Sequence, residues 1–240
     1  MSAPLILALP SKGRPKEQTD AWLSKAGLTV KAAGGQRGYN ALIEGVDGLD
    51  VRLLSAGNIA AALDAGEAHM GVTGEDLLRE RGDAAFARVA LVHALGFGHA
   101  DVVVAAPAAW IDVSTMDDID DVAHAYLART GGRMRVATKY LNLTRSFFAA
   151  KGVGDYRIVA SDGATEGAPA QSLAELIVDI TTTGATLKAN GLKILDDGVI
   201  LQSQFNLAIS KSTPWTTAQR RTAMLILDRL GVASSALESL

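Results

Sequence analysis

The chain contains no cysteine, which excludes disulfides and any thiolate-held zinc. It also lacks a long hydrophobic run. The first apolar stretch, Leu5 to Leu9, follows Met1-Ser2-Ala3-Pro4 with no basic segment before it. It is too short for a secretory signal or a membrane span, so a cytoplasmic protein is expected. Aromatic residues make up only 5% of the chain and the formal net charge is −3. There is therefore no basic, aromatic-studded stripe of the kind that grips nucleic acid. His69, His93, His99 and His124 fall at no paired ligand spacing, and they read as structural or solvated side chains. What is present, 48% hydrophobic and 20% charged residues in 240, suffices for one large domain or two smaller lobes.

An acidic protein that binds a polyanionic small molecule needs local donors: glycine-rich loops, helix N-termini and a few placed cations. The chain offers such loops after each of several apolar runs. Leu5 to Leu9 reads as a strand followed by Pro10-Ser11-Lys12-Gly13-Arg14 and a helix from Pro15, stopped near Gly27. Met70-Gly71-Val72 leads through Thr73-Gly74-Glu75-Asp76 to a helix containing Leu77 and Leu78. Met134 to Ala137 leads to a helix over Leu143, Phe147 and Phe148, with Asn142 as its expected N-cap and Gly152 at its end. Tyr156 to Ala160 is followed by Ser161 to Ala170, and Leu173, Leu176, Ile177 and Ile180 then stand at helical spacing from about Ser172. Val102 to Ala106 is a further strand, ending at Pro107. The acidic cluster Asp117, Asp118, Asp120 and Asp121 reads as a solvated loop or helix start, and a last helix runs through Ala223, Leu227 and Leu230. Strands alternating with helices indicate an α/β protein with mostly parallel sheets, whose ligands sit beyond the carboxyl ends of the strands. The chain is expected to cross between lobes near Gly96 to Ala100 and again around Asn190-Gly191. That gives lobe I as 1–101 and 189–240, and lobe II as 102–188.

The most informative segment is Ser161-Asp162-Gly163-Ala164-Thr165-Glu166-Gly167-Ala168-Pro169, followed by Asp179-Ile180-Thr181-Thr182-Thr183-Gly184-Ala185-Thr186-Leu187. Glycine lets a backbone approach a ligand closely, and neighbouring threonines add hydroxyls to successive N–H groups. A carboxylate just upstream, Asp179, suits the hydroxyls of a ribose. A phosphate cradle beside a diol acceptor suggests a ribose 5-phosphate unit. The same letters also fit a threonine-rich helix C-terminus stopped by Gly184, with no ligand.

Glu166, Ala174, Ile177, Asp179, Ile180, Thr183, Gly184, Thr186 and Leu187 stand at the spacing of the ATP phosphoribosyltransferase family signature, which the chain resembles. Ser172 departs from it, since the pattern has glycine there. The resemblance extends to Ala8 to Arg14, to Gly71 to Asp76, to Thr138-Lys139-Tyr140-Leu141-Asn142-Leu143-Thr144-Arg145, and to Asn190-Gly191-Leu192. A second departure is Leu54-Ser55-Ala56-Gly57-Asn58-Ile59, where the family commonly carries an arginine and an aspartate. A cation for the polyphosphate would then come from Arg52, Arg37 or elsewhere.

The resemblance implies two lobes like those of type II periplasmic binding proteins with a cleft between them. It also implies transfer of the phosphoribosyl group of phosphoribosyl pyrophosphate (PRPP) to N1 of ATP, with Mg2+ on the diphosphate, as the first step of histidine biosynthesis. By position, Asp162, Gly163, Ala164, Thr165, Glu166, Gly167 and Asp179 with Thr182, Thr183, Gly184, Ala185 and Thr186 would bind PRPP. Lys12, Gly13, Arg14, Thr73, Gly74, Lys139 and Tyr140 would face ATP or the polyphosphate. Taken alone, Lys12 and Arg14 fit a solvated loop, Tyr140 fits core or rim, and Glu166 fits a helix cap. A chain ending at Leu240 resembles the family's short form, which works in a hetero-oligomer with a separate subunit resembling histidyl-tRNA synthetase. The alternatives are a non-catalytic two-lobe solute-binding protein and a phosphoribosyltransferase for another base.

Overall fold

The computed structural model describes residues 3–32 and 40–238. The strands are β1 (Leu5–Pro10), β2 (Val30–Ala32), β3 (Asn40–Ile43), β4 (Leu49–Leu54), β5 (Met70–Gly74), β6 (Val89–Ala94), β7 (Ala100–Pro107), β8 (Met134–Thr138), β9 (Tyr156–Ala160), β10 (Leu176–Thr181), β11 (Leu192–Ser203) and β12 (Phe205–Ser210). The helices are α1 (Gly13–Lys25), α2 (Ala56–Ala65), α3 (Glu75–Arg79), α4 (Asp83–Phe86), α5 (Met116–Thr130), α6 (Leu141–Ala150), α7 (Ala185–Ala189), α8 (Thr217–Arg229) and α9 (Ser235–Glu238). They form two compact units. One is made from the chain up to Gly98 and again from Gln204 onward, the other from His99–Ser203.

The first unit is built on a seven-stranded sheet in the order β2-β3-β4-β1-β5-β12-β6. Side-chain alternation along β1 divides its residues between the two faces. Leu5, Leu7 and Leu9 join one buried cluster with Leu23, Ala223 and Leu227, while Ala8 joins another with Ile59 and Leu63. Helices therefore cover both faces. Gly71 permits the closest of these approaches, since a Cβ there would stand 2.7 Å from Ile59 Cγ2. The helix ends are specified locally as well. Ser55 Oγ accepts from Asn58 N at the start of α2, and Thr216 and Gln219 close a reciprocal cap on α8; each such cap contributes about 1 kcal/mol.

The second unit carries a five-stranded sheet in the order β11-β7-β10-β8-β9. Val102, Val104 and Ala106 of β7 face one core, and Val103 and Ala105 the other. The acidic cluster lies in the first turns of α5, where Thr115 and Asp118 form a capping box.

The α/β class and the two-unit division agree with the sequence reading, with five corrections. Parallel pairing is confined to β4-β1-β5 and β10-β8-β9. The other ladders are antiparallel, because β2, β3 and β4 follow one another as hairpins, β10 and β11 run back along β7, and β12 runs back along β5 and β6, so the sheets are mixed. The second crossing lies at 203/204 rather than 188/189, because β11 pairs with β7 from Leu192 to Ser203 and belongs to the second unit. The first lies at 98/99 rather than 101/102. The segment expected as a helix from Ser172 is the strand β10. It lies between β7 and β8, with both faces covered, and a strand so placed is apolar on successive residues and favours β-branched side chains such as Ile177, Val178 and Ile180. The apparent helical stripe was a by-product of that run, and Leu173, its first member, is exposed. Asn142 is not a cap, since α6 begins at Leu141, and Tyr140 N donates instead to Thr138 Oγ1 at 2.8 Å.

Ser172 adopts φ 57°, the left-handed conformation that disfavours any side chain. This is the position where the resembled pattern has glycine. Ser172→Gly is expected to raise the unfolding free energy by up to ~1 kcal/mol, measured as a higher urea midpoint at unchanged slope. His69 is buried, and its Nδ1 accepts from Ile6 N at 3.1 Å. Burial pushes its pKa down, and the nearby Arg52 charge adds to that effect against an opposing bond from Gln219. Unfolded His69 titrates near 6.5, so below that pH the unfolded chain takes up a proton the folded one resists. The stability it contributes is complete above 6.5 and is lost as pH falls further. The urea midpoint is expected to drop as pH falls below 6.5, and to drop less in His69→Asn.

Candidate functional site

β10 leaves the centre of the second sheet at Thr181, and the chain turns through Thr182 and Thr183 into α7. Gly184 makes that turn at φ 71°. Because a strand precedes the threonines, the reading of this segment as a helix C-terminus does not hold. The turn is stitched by its own hydroxyls. Thr181 Oγ1 accepts from Gly184 N at 2.9 Å and Thr183 Oγ1 from Ala185 N at 3.3 Å, while Thr182 Oγ1 donates to His99 O at 3.2 Å.

Above this turn is a pocket of about 340 Å³ lined by Ala100, Glu166, Asp179, Ile180, Thr181, Thr182, Thr183, Thr186 and Leu187. Glu166 arrives on a single 3-10 turn, Thr165–Gly167. Asp179 lies two residues before the end of β10, and its Oδ1 accepts from Ile180 N at 2.8 Å. Burial raises the Asp179 carboxyl above its ordinary pKa, and the Glu166 charge adds to this. The Ile180 N–H and the Lys139 charge oppose the rise without cancelling it. The site thus presents two carboxylates, a row of hydroxyls and a nearby ammonium. That set accepts from sugar hydroxyls at one end and donates to an anion at the other.

Five of the expected PRPP residues, Glu166, Asp179, Thr182, Thr183 and Thr186, share this pocket. Gly184 and Ala185 shape the turn without lining it. Asp162, Gly163 and Ala164 are exposed and off its wall. Thr165 is buried, with its hydroxyl spent on Ser161 Oγ and Gly163 O, and Gly167 lies in the same short turn. Ala100, Ile180, Thr181 and Leu187 also line the pocket without having been among the residues expected to bind, although Ile180 and Leu187 stand in the family signature. Thr181 stood in the threonine run itself, whereas Ala100 reaches the site through strand pairing that no local signal announces.

The expected nucleotide residues divide more sharply. Lys12, Gly13 and Arg14 are exposed at the start of α1, whose first turn carries neither a side-chain cap nor an acidic residue. Lys139 is exposed, with Nζ 5.1 Å from the centre of the Tyr140 ring. Tyr140 itself is 1% exposed and belongs to the core under the second sheet, so its expected contact with nucleotide is not met. Its place is beneath Lys139. Thr73 is fully buried and its hydroxyl donates to Ala56 O at 2.8 Å, tying β5 to α2. Gly74 is also buried, beside the Asp76 carboxylate, so neither presents a donor to ligand. Arg52 pairs with Asp50 at 3.2 Å, and Arg37 lies outside the described residues. His93 stacks on Trp22, and His124 pairs with Asp120 and Asp155. Among the described residues no group of three His, Asp or Glu side chains is placed to hold a metal ion, and no helix is long and apolar enough to cross a membrane.

Against known proteins, residues 55–231 match the family model described as ATP phosphoribosyltransferase. An ATP phosphoribosyltransferase of Caulobacter vibrioides is 64% identical over 219 residues, covering 91% of this chain and 68% of that protein. One from Rhodopseudomonas palustris is 60% identical over 230 residues, covering 96% and 71%. Among solved structures, the ATP phosphoribosyl transferase (HisG:HisZ) complex from Thermotoga maritima aligns with a TM-score of 0.71 and 26% identity, over 95% of this chain and 96% of that one. A substrate binding protein of an amino acid ABC transporter aligns with a TM-score of 0.52 at 13% identity, over 95% and 91%, a likeness of fold alone.

The raised Asp179 pKa has a sign that can be tested. An unfolded aspartate titrates near 3.8. Between that value and the higher folded one, the folded protein binds the extra proton. Stability therefore falls as pH rises through that window, and the penalty stands in full at neutral pH. Asp179→Asn is expected to raise the melting temperature of the ligand-free protein at pH 7 and to lose that advantage below pH 4, followed by thermal unfolding across the range.

Proposed function

The chain belongs to the ATP phosphoribosyltransferase family, and on that premise we propose how its own residues carry out the transfer of a phosphoribosyl group from PRPP to N1 of the adenine of ATP. The observation that carries the assignment is the convergence of Asp179, Glu166 and the threonine turn on one pocket at the end of β10. In this reading the 5-phosphate takes the hydroxyls of Thr182, Thr183 and Thr186, displacing Thr183 from the Ala185 amide and Thr182 from His99 O. Asp179 and Glu166 accept from the ribose hydroxyls. The sugar carbon is then fixed while N1 bonds to C1, the C1–O bond to the diphosphate breaks, and pyrophosphate departs with the bonding pair. No covalent nucleophile is needed, so rate depends on orientation and on neutralising the leaving group. Lys139, carried on the buried Tyr140 ring, supplies a cation close to Asp179. Lys12 and Arg14, with the uncapped amides of α1, offer a second anion-binding locus for the nucleotide.

Magnesium fits this donor set in a limited way. Mg2+ keeps several waters and takes one or two carboxylates together with phosphate oxygens. Asp179 and Glu166 supply two carboxylates, and among the described residues no third His, Asp or Glu joins them in a metal-holding group. Bound there, the ion would neutralise the diphosphate, and Asp179 and Glu166 are the residues that would hold it. The expected partnership is proposed on the same footing. The Thermotoga structure is a HisG:HisZ complex of comparable catalytic-chain length, and a regulatory subunit of that kind is taken as the partner here. Because this chain spans 68% of the Caulobacter relative, a covalently attached regulatory segment is the alternative arrangement, and the activity of the 240-residue chain separates the two.

Thr186→Val is the cleanest test of the phosphate assignment, because Gly184→Val would add strain at a positive φ. Loss of one hydroxyl donor to a phosphate is expected to weaken PRPP binding about tenfold or more, with the melting temperature of the free protein unchanged. Unaltered PRPP titration in a calorimeter would remove the assignment. Tyr140→Leu is expected to lower turnover through loss of the support under Lys139, whereas Tyr140→Phe retains it. Pyrophosphate release by the isolated chain is expected to be slow and to rise when a regulatory subunit is added.

A further inference from the structure

Two buried hydroxyls, those of Thr138 and Thr144, hold the backbone on which Lys139 is mounted, and the transfer as described makes no use of either. β8 ends at Thr138, which pairs with Val178 of the parallel strand β10. That register brings the next residues, Lys139 and Asp179, to the same level, and the Lys139 charge acts on the Asp179 carboxyl. Beyond Thr138 the chain enters α6 by an uncommon path. The N-cap residues of α1, α2, α5 and α8 are extended, with ψ between 152° and 172°. Tyr140, the N-cap of α6, has φ −98° and ψ 68° and no side-chain cap. Its backbone is held from both sides instead. The Tyr140 N–H donates to Thr138 Oγ1 at 2.8 Å, and the Tyr140 carbonyl accepts twice, from Thr144 N at 3.0 Å and from Thr144 Oγ1 at 2.5 Å. Thr138 O in turn accepts from Ser161 N at 3.0 Å, which ties the exit of β8 to that of β9.

A helix hydroxyl bonded to the carbonyl one turn back is a common feature and costs the helix a little stability. Tyr140 O is already satisfied by Thr144 N, so the second bond is not needed to rescue an orphaned carbonyl. What it fixes is the residue whose ring must turn inward directly after a lysine that points out. We propose that Thr144, with Thr138 on the other side of Tyr140, is a positioning residue for Lys139; this rests on the reading of Lys139 as the cation that meets the departing diphosphate. A lysine has a flexible stem, so its ammonium is placed by whatever fixes its root and supports its tip. The tip lies 5.1 Å from the centre of the Tyr140 ring, and the root is set by the two threonines. Freed of the Thr144 hydroxyl, the 139–140 backbone can turn, and the ammonium moves away from the oxygen on which charge develops.

Pyrophosphate release by the full chain, compared across a double-variant cycle of Thr144→Val and Lys139→Met, tests this. Thr144→Val keeps the side chain's shape and leaves Tyr140 O bonded to the backbone amide, so the fold is expected to survive. It is expected to lower kcat about tenfold while the KM for PRPP changes by less than about twofold, and Thr144→Ser is expected to recover most of that loss. In the Lys139→Met background Thr144→Val is expected to cost nothing further, because its effect passes through the lysine. Two independent losses would multiply instead. Calorimetric titration of the same proteins with inorganic pyrophosphate and Mg2+ gives a second cycle that does not depend on turnover, with the same pattern expected. Thr144→Ala removes the same hydroxyl and replaces Thr144→Val should that variant not fold. Losses that multiply in the double variant, or a Thr144→Val protein at wild-type kcat, overturn the inference and leave the role of Lys139 standing. Undiminished turnover and pyrophosphate affinity in Lys139→Met remove that role and the inference with it.

Discussion

The site depends on a carboxylate held where burial opposes its charge. Asp179 stands near the end of a strand flanked on both sides, and its pKa is raised because the surrounding sheet withholds water and Glu166 repels it. A free protein would be more stable with a neutral group there. Sugar hydroxyls or a cation bound there would add to the Ile180 N–H and the Lys139 charge in favouring the carboxylate. The fold keeps that carboxylate in place through β10, which is hydrogen-bonded to β7 on one side and β8 on the other. The strand cannot withdraw the carboxylate without breaking ladders on both edges.

Around that fixed point the polar inventory is divided between shaping and binding. Thr181 and Thr183 hold the amides of Gly184 and Ala185, and Thr182 is tied to His99 O. The turn is therefore formed before any ligand arrives, which reduces the ordering cost of binding. Arriving phosphate would exchange one oxygen for another at amides already pointing the right way. Thr73, Thr138 and Thr165 show the opposite use of the same residue type: each hydroxyl is consumed inside the fold. Neither composition nor position at a strand exit separates the two roles, since Thr73 and Thr138 also stand at the ends of β5 and β8; burial does, for those three are buried while Thr182, Thr183 and Thr186 are exposed.

That distinction marks how far the sequence could be read. The alternation of strands and loops, the carboxylate pair and the threonine turn were legible because each is a local pattern. Three features were not. β10 looked helical because an apolar run buried on both faces mimics any spacing one chooses to count. Tyr140 was grouped with the ligand loop because its neighbours Lys139 and Thr138 are there, yet the ring turns inward and only the lysine emerges. The return between units was set too early because β11 is recruited to β7, and such long-range pairing leaves no mark on the residues near Asn190. Ser172 was legible in another way. Its departure from glycine, noticed as a mismatch of letters, proves to be a residue held at φ 57°.

The helices of the second unit can be understood through the same sheet. One end of β10 presents the Asp179 pocket, while α5 and α6 pack on that sheet. α5 is anchored at its start by Asp197, which accepts from Met116 N and from Lys151 of α6, and α6 in turn begins just after Lys139 and Tyr140. Lys139 thus stands just ahead of α6, the helix at whose far end Lys151 meets the Asp197 carboxylate that also holds the first amide of α5.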